Sequence, residues 1–126
     1  MNIELFTLCD GAYNYNGKLT IVGTLDVMNA DNVPATAQIG IAMKLRFAAE
    51  ETGKHRLTIR IINPEGRNIP PDFSLDMDIK PSEKGSLVAL AVNAQGLSLD
   101  KFGDYTTKVF MDDEEKGSYS FTLIKK

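Results

Sequence analysis

Apolar residues recur at every second position along most of the chain. That period of two constrains the fold more than any other feature, because it lines one face of a β-strand and makes no helical stripe. The clearest run sets Ile39, Ile41, Met43, Leu45 and Phe47 against Gly40, Ala42, Lys44, Arg46 and Ala48. The same alternation runs through Leu57, Ile59 and Ile61, through Leu75, Met77 and Ile79, and through Val88, Leu90 and Val92. It returns in Tyr105, Thr107, Val109 and Met111 and again in Tyr119, Phe121 and Leu123. Two N-terminal stretches, Ile3 to Cys9 and Leu19 to Val27, are apolar and β-branched with looser alternation. About eight strands are predicted.

The residues between these runs favour turns. Asn16-Gly17, Asn63-Pro64-Glu65-Gly66 and the polar run Asp112 to Gly117 tolerate positive φ or preset a turn. Pro34, Pro70, Pro71 and Pro81 fall between the predicted strands, where a missing N–H costs a ladder nothing. The helix-like stretch Ala48 to Glu51 is too short before Gly53 to stand alone. Residues 1–126, with no repeat or linker, read as one domain.

Short strands with one apolar face each describe two sheets packed face to face, an immunoglobulin-like antiparallel β-sandwich. Its core is expected to hold Ile41, Met43, Leu45, Leu57, Ile59, Leu90, Val92, Val109, Phe121 and Leu123. Phe102-Gly103-Asp104-Tyr105 puts a tyrosine at the start of an alternating strand. Tyr105 is then either a half-buried strand aromatic or a tyrosine corner, whose hydroxyl bonds backbone between Gln95 and Phe102.

Four segments resemble a known family: Glu4-Leu5-Phe6-Thr7-Leu8-Cys9-Asp10, Gly17-Lys18-Leu19-Thr20-Ile21-Val22-Gly23, Gly53-Lys54-His55-Arg56-Leu57 and Phe102-Gly103-Asp104-Tyr105. Together they are similar to small, uncharacterised bacterial proteins of immunoglobulin-like sandwich type. The likeness spans nearly the whole chain and is most specific in the opening segment. It implies the fold and carries no activity with it.

Composition narrows the function classes. With 43% hydrophobic and 25% charged residues the chain is a globular domain rather than a disordered or membrane-spanning one. A balance of 14 basic against 17 acidic residues disfavours sequence-independent nucleic-acid binding. Lys108 and Phe110 alone make no base-stacking platform. A single cysteine, Cys9, allows neither an internal disulfide nor a thiolate zinc cluster. With no basic leader ahead of Asp10, it points to a reducing, cytoplasmic setting.

The catalytic arrangements open to these residues are weak. Cys9 would need activation by the only histidine, His55, yet Cys9 sits on an apolar strand face and His55 beside the turn residues Gly53-Lys54. Cys9 is therefore read as a structural core thiol and His55 as a solvated loop residue. No Gly-x-Ser-x-Gly elbow and no phosphate loop occurs. The acids Asp112, Asp113, Glu114 and Glu115 lack calcium-loop spacing and read as a hairpin tip. Asp76 and Asp78 share a strand face, with Lys44 or Arg46 as expected neighbours. No enzyme, cofactor or metal is predicted.

Binding is the better expectation. Asp10, Tyr13, Asn14, Tyr15 and Asn16 lie between the first two predicted strands, and aromatics mixed with amides are the chemistry of recognition loops. The segment serves either a protein partner, a sugar ring or small ligand stacked on the tyrosines, or merely a turn. Self-association or a protein contact is also expected on the sheet of Tyr105–Met111 and Tyr119–Ile124. There Ser118, Ser120 and Thr122 give the last strand an uncharged outward face beside Ile62 and Phe110. The Ser74 to Lys80 edge, by contrast, is blunted by Pro70, Pro71, Pro81, Asp76 and Asp78.

Overall fold

The alternating runs form nine strands in the computed structural model, which describes residues 1–126: β1 Asn2–Tyr15, β2 Lys18–Thr24, β3 Val27–Ala30, β4 Ala35–Phe47, β5 Gly53–Ile62, β6 Asn68–Ile79, β7 Ser86–Leu99, β8 Gly103–Met111 and β9 Glu114–Lys125. One 3-10 turn, Ala49–Glu51, joins β4 to β5. One sheet has the order β2-β1-β4-β7 and the other β3-β9-β8-β5-β6. Strands β1, β4 and β7 facing β9, β8 and β5 reproduce the immunoglobulin-like sandwich order, with β6 extending the second sheet.

The inner faces meet in one core of 21 buried residues that includes Ile41, Met43, Leu45, Leu57, Ile59, Val109, Phe121 and Leu123. Leu90 and Val92 are only partly buried against it, because β7 is an edge strand. Tyr105 is a tyrosine corner. Its buried hydroxyl donates to the Lys101 carbonyl at 2.6 Å and accepts the Lys101 N–H at 3.0 Å, while its ring stacks on Phe121 at 5.1 Å.

Strand count and pairing differ from expectation at the N-terminus. The predicted strand Leu19 to Val27 is two, because the chain crosses between sheets at Leu25-Asp26. Leu25 is buried at the crossing, donating its N–H to the Leu8 carbonyl at 2.8 Å and accepting the Tyr119 hydroxyl at 2.9 Å. The crossing lays β3 parallel to β9, from Val27 opposite Thr122 to Ala30 opposite Lys125, so the fold is not wholly antiparallel. Pro70 and Pro71 lie inside β6 rather than before it, at a register shift where β6 bulges away from β5.

The largest departure lies between Asp10 and Gly17. β1 continues to Tyr15 and pairs with β2 from Cys9 opposite Thr24 to Tyr15 opposite Lys18. Its pairing with β4 ends at Cys9 opposite Gly40. Beyond that point the β1–β2 hairpin folds over the outer face of its own sheet. It buries Cys9, Ala12 and Ala42, with Leu5, Leu19, Ile21 and Ala91 packed around them. Gly40 makes this approach possible, since a Cβ there would lie 2.9 Å from Cys9 Sγ and 3.1 Å from Gly11 Cα.

Candidate functional site

The arm of the hairpin that was expected to be a loop is strand, and strand alternation sorts its side chains. Ala12 and Asn14 point toward the sheet beneath, and Tyr13 and Tyr15 point away from it. Asn14 Nδ2 donates to the Ala89 carbonyl on β7 at 3.1 Å, and its Oδ1 accepts the Gly17 N–H at 2.8 Å. Asn16 at φ 53° and Gly17 at φ 82° make the two-residue turn that suits the twist of an antiparallel hairpin. Of the five residues predicted to bind, Asn14 and Asn16 therefore build the hairpin, and Asp10 stands exposed at its base near Gly23.

Tyr13 and Tyr15 remain, 46% and 62% exposed, with ring centroids 6.4 Å apart and planes inclined by 30°. Across the hairpin, Val22 lies opposite Gly11, Thr20 opposite Tyr13 and Lys18 opposite Tyr15, so all share the outward face. Val22 is 52% exposed. Its membership follows from the register alone, since nothing in its neighbours along the chain marks it.

The second predicted surface has a different character from the one expected. Ile62 lies opposite Thr106 and Thr106 opposite Ser120, whereas Phe110 lies opposite Thr58. Phe110 is half-buried beneath Arg60, whose guanidinium stands 5.0 Å from the ring centroid and also pairs with Asp72 at 3.0 Å. Lys108 pairs with Glu115 at 3.1 Å, and the Thr122 hydroxyl donates to Asp104 at 2.7 Å. The face is laced with ion pairs, and β3 covers the β9 edge from Thr122 to Lys125, leaving Glu114–Phe121 without a strand beyond it.

Cys9 and His55 belong to opposite sheets and are not brought together. Cys9 is buried and donates its thiol to the Gly11 carbonyl at 3.3 Å; burial is foremost in pushing its pKa up. His55 is not a loop residue. It lies on β5, largely shielded, with Nδ1 at 2.6 Å from Asp112 Oδ2 and Nε2 at 2.7 Å from the Glu51 carbonyl. Acceptors at both ring nitrogens favour the doubly protonated form, and Asp112 is foremost in raising its pKa. Asp112 in turn is lowered, first by the Arg56 N–H at 2.9 Å and then by His55. Glu51 also takes the N-terminal ammonium of Met1, so one network ties the chain start to β5 and the β8–β9 turn.

The remaining acids are dispersed among cations. Asp112 and Asp113, both at positive φ, form the β8–β9 turn, Glu114 pairs with Lys116 and Glu115 with Lys108. Asp76 pairs with Arg56 and Asp78 with Lys80, because Lys44 and Arg46 lie on the other sheet. No group of three or more His, Cys, Asp or Glu residues is placed to hold a metal ion.

Between the edge strands β6 and β7 the sandwich opens into an apolar cleft of about 330 Å³. Ile41, Met43, Leu57 and Ile59 form its floor, and Phe73, Leu75, Leu90 and Val92 its rims.

Among solved structures, the chain is similar to the Pseudomonas fluorescens alkylpurine DNA glycosylase AlkC bound to DNA containing an abasic site analog. The match has 14% identity and a TM-score of 0.58, covering 98% of this chain and 30% of that one. This chain thus spans under a third of the glycosylase's length, and at that identity the likeness is one of fold alone. It is also similar to an immunoglobulin-like protein from Pseudomonas aeruginosa, at 13% identity and a TM-score of 0.43, covering 97% of this chain and 94% of that one. No curated protein matches the sequence. No helix is long and apolar enough to cross a membrane. The family model described as "Family of unknown function (DUF6941)" matches residues 4–124, which bears out the resemblance to uncharacterised domains, and the chain belongs to that family.

Proposed function

We propose that this domain is a non-enzymatic protein-interaction module whose contact surface is the outward face of the β1–β2 hairpin. The observation that carries this is the clustering of Tyr13, Tyr15 and Val22, three large exposed apolar side chains, on one face of one hairpin. Clustered exposed apolar groups mark contact surfaces, and tyrosines supply area at low entropic cost. The hairpin that carries them is held rigid by Asn14, Asn93 and the buried cluster beneath. A protein partner suits the face better than nucleic acid, since Lys18 is its only cation and the chain carries a net charge of -3. A reducing, cytoplasmic setting accords with one buried, unpaired thiol.

The test is photo-crosslinking in cells that make the protein, with the reactive residue at Thr20 on the proposed face or at Ser118 on the other sheet. Adducts confined to Thr20 and lost in Tyr13→Ala/Tyr15→Ala support the assignment. Equal adducts at both positions overturn it.

A second function is favoured by the ring geometry. Tyr13 and Tyr15, 6.4 Å apart and inclined by 30°, form a shallow platform on which a sugar ring can stack. Binding on a glycan array, lost in Tyr15→Ala, would move the assignment from protein to carbohydrate.

A further inference from the structure

The four sheet edges are unequally protected. β3 is four residues long, itself a defence, and the part of β9 that it leaves open, Glu114–Phe121, begins with the charges Glu114, Glu115 and Lys116. β2 carries Lys18 and holds Gly23 at a φ of 63° one residue before its end at Thr24, a kink that interrupts a regular edge. β6 is blunted by Pro70 and Pro71 and by Asp72, Asp76 and Asp78. β7 has none of these devices: Ser86–Leu99 is 14 residues long without one charge or proline, although its Ala89 carbonyl takes a hydrogen bond from the Asn14 side chain. From Ser86 to Ala94 it pairs with β4 without interruption, and its first register shift comes only beyond Ala94. Strand edges of this kind template pairing with another strand.

We propose that β7 pairs antiparallel with β7 of a second copy of this chain, joining two four-stranded sheets across a two-fold axis. Three observations select a second copy as the occupant. An isologous contact sets each surface against itself, so any charge near the axis would meet its own sign, and the Ser86 to Ala94 stretch has no charge to repel. The ladder to β4 runs there without a bulge, so the strand offers an unbroken register to a partner. The third observation is the cleft beside it. A strand added to β7 extends the four-stranded sheet opposite β6, over the rim where Leu75 is 43% exposed. The inward residues Leu90 and Val92 of the second copy are apolar, as that rim demands. The contact leaves the outward hairpin face of Tyr13 and Tyr15 as a separate surface.

Sedimentation of the full chain over a concentration series tests the pairing, together with hydrogen exchange along β7. The expected result is a dimer mass that grows with concentration, accompanied by concentration-dependent protection of amides between Leu87 and Asn93. Leu75→Lys and Leu87→Lys replace exposed side chains, so both should stay folded by circular dichroism and lose the dimer. Phe110→Lys, on the other sheet, should keep it. A parent that stays monomeric throughout overturns the proposal. So does a dimer that survives both lysine variants, one abolished by Phe110→Lys, or β7 exchange that ignores concentration.

Discussion

The carboxamide of Asn93 on β7 pairs with both backbone groups of Ala12 on β1. Its Oδ1 accepts the Ala12 N–H at 3.0 Å and its Nδ2 donates to the Ala12 carbonyl at 2.8 Å. A side chain here replaces a neighbouring strand, reaching across Gly40 at the point where β1 leaves β4. Buried backbone groups need partners, and this pair supplies them while letting the hairpin fold over the sheet. The face carrying Tyr13 and Tyr15 therefore depends on a residue 81 positions further along the chain.

Asn93→Ala strands both groups of Ala12. It should cost about 2 kcal/mol in a denaturant melt, the range for leaving partly buried hydrogen-bonding groups unpaired. Amides from Ala12 to Tyr15 should exchange faster in the variant. Unchanged exchange would mean that apolar packing alone holds the hairpin.

Thr107 is fully buried on the inward face of β8, and its hydroxyl has no hydrogen-bond partner. Thr107→Val keeps the shape and removes the unpaired group, so it should stabilise the domain by about 1 kcal/mol. A lower melting midpoint in the variant would point to a buried water bonded to that hydroxyl.

Tyr105→Phe keeps the ring on Phe121 and deletes both bonds to Lys101. The expected loss is about 1–2 kcal/mol, with no change at the hairpin face. A neutral result would leave Tyr105 as a packing residue only.

His55 gives the domain a pH dependence whose sign follows from its raised pKa. Its contribution is fully present below the usual histidine value of 6.5 and is lost as pH rises through the higher folded value. Asp112 works the other way: its contribution is present above 3.8 and is lost as pH falls through its lowered value. Melting midpoints should therefore decline as pH rises from 6.5 through the higher folded value, and His55→Gln should flatten that decline. An identical slope in the variant would remove His55 as its cause.

Much of the candidate site was visible as residue types and little of it as geometry. Tyr13 and Tyr15 stand out by composition, but their segment reads as a loop because Asp10, Gly11, Asn14, Asn16 and Gly17 are turn formers. Strand pairing overrode that preference: Ala12 is small enough to pack between the hairpin and the sheet, the backbone of Gly11 passes close over Gly40, and β2 supplies the ladder. Val22 was invisible, since only the register brings it beside Tyr13. His55 and Asp112 are 57 residues apart, and no local pattern announces their contact.

The sequence by itself determined the all-β class, the inward residues of the central strands, the Asn16-Gly17 turn and the place of Tyr105 at the start of a strand. Each of these is written within a few neighbouring residues, as a period of two, a turn pair or a tyrosine at a strand start. Tertiary structure alone decided which strands became edges, where Leu25 crosses between sheets, and that the first hairpin folds over Gly40 onto β7. Those outcomes turn on contacts between residues far apart in the chain. The free energy that selects them is apolar burial and backbone pairing summed over the whole sandwich, which no local window contains.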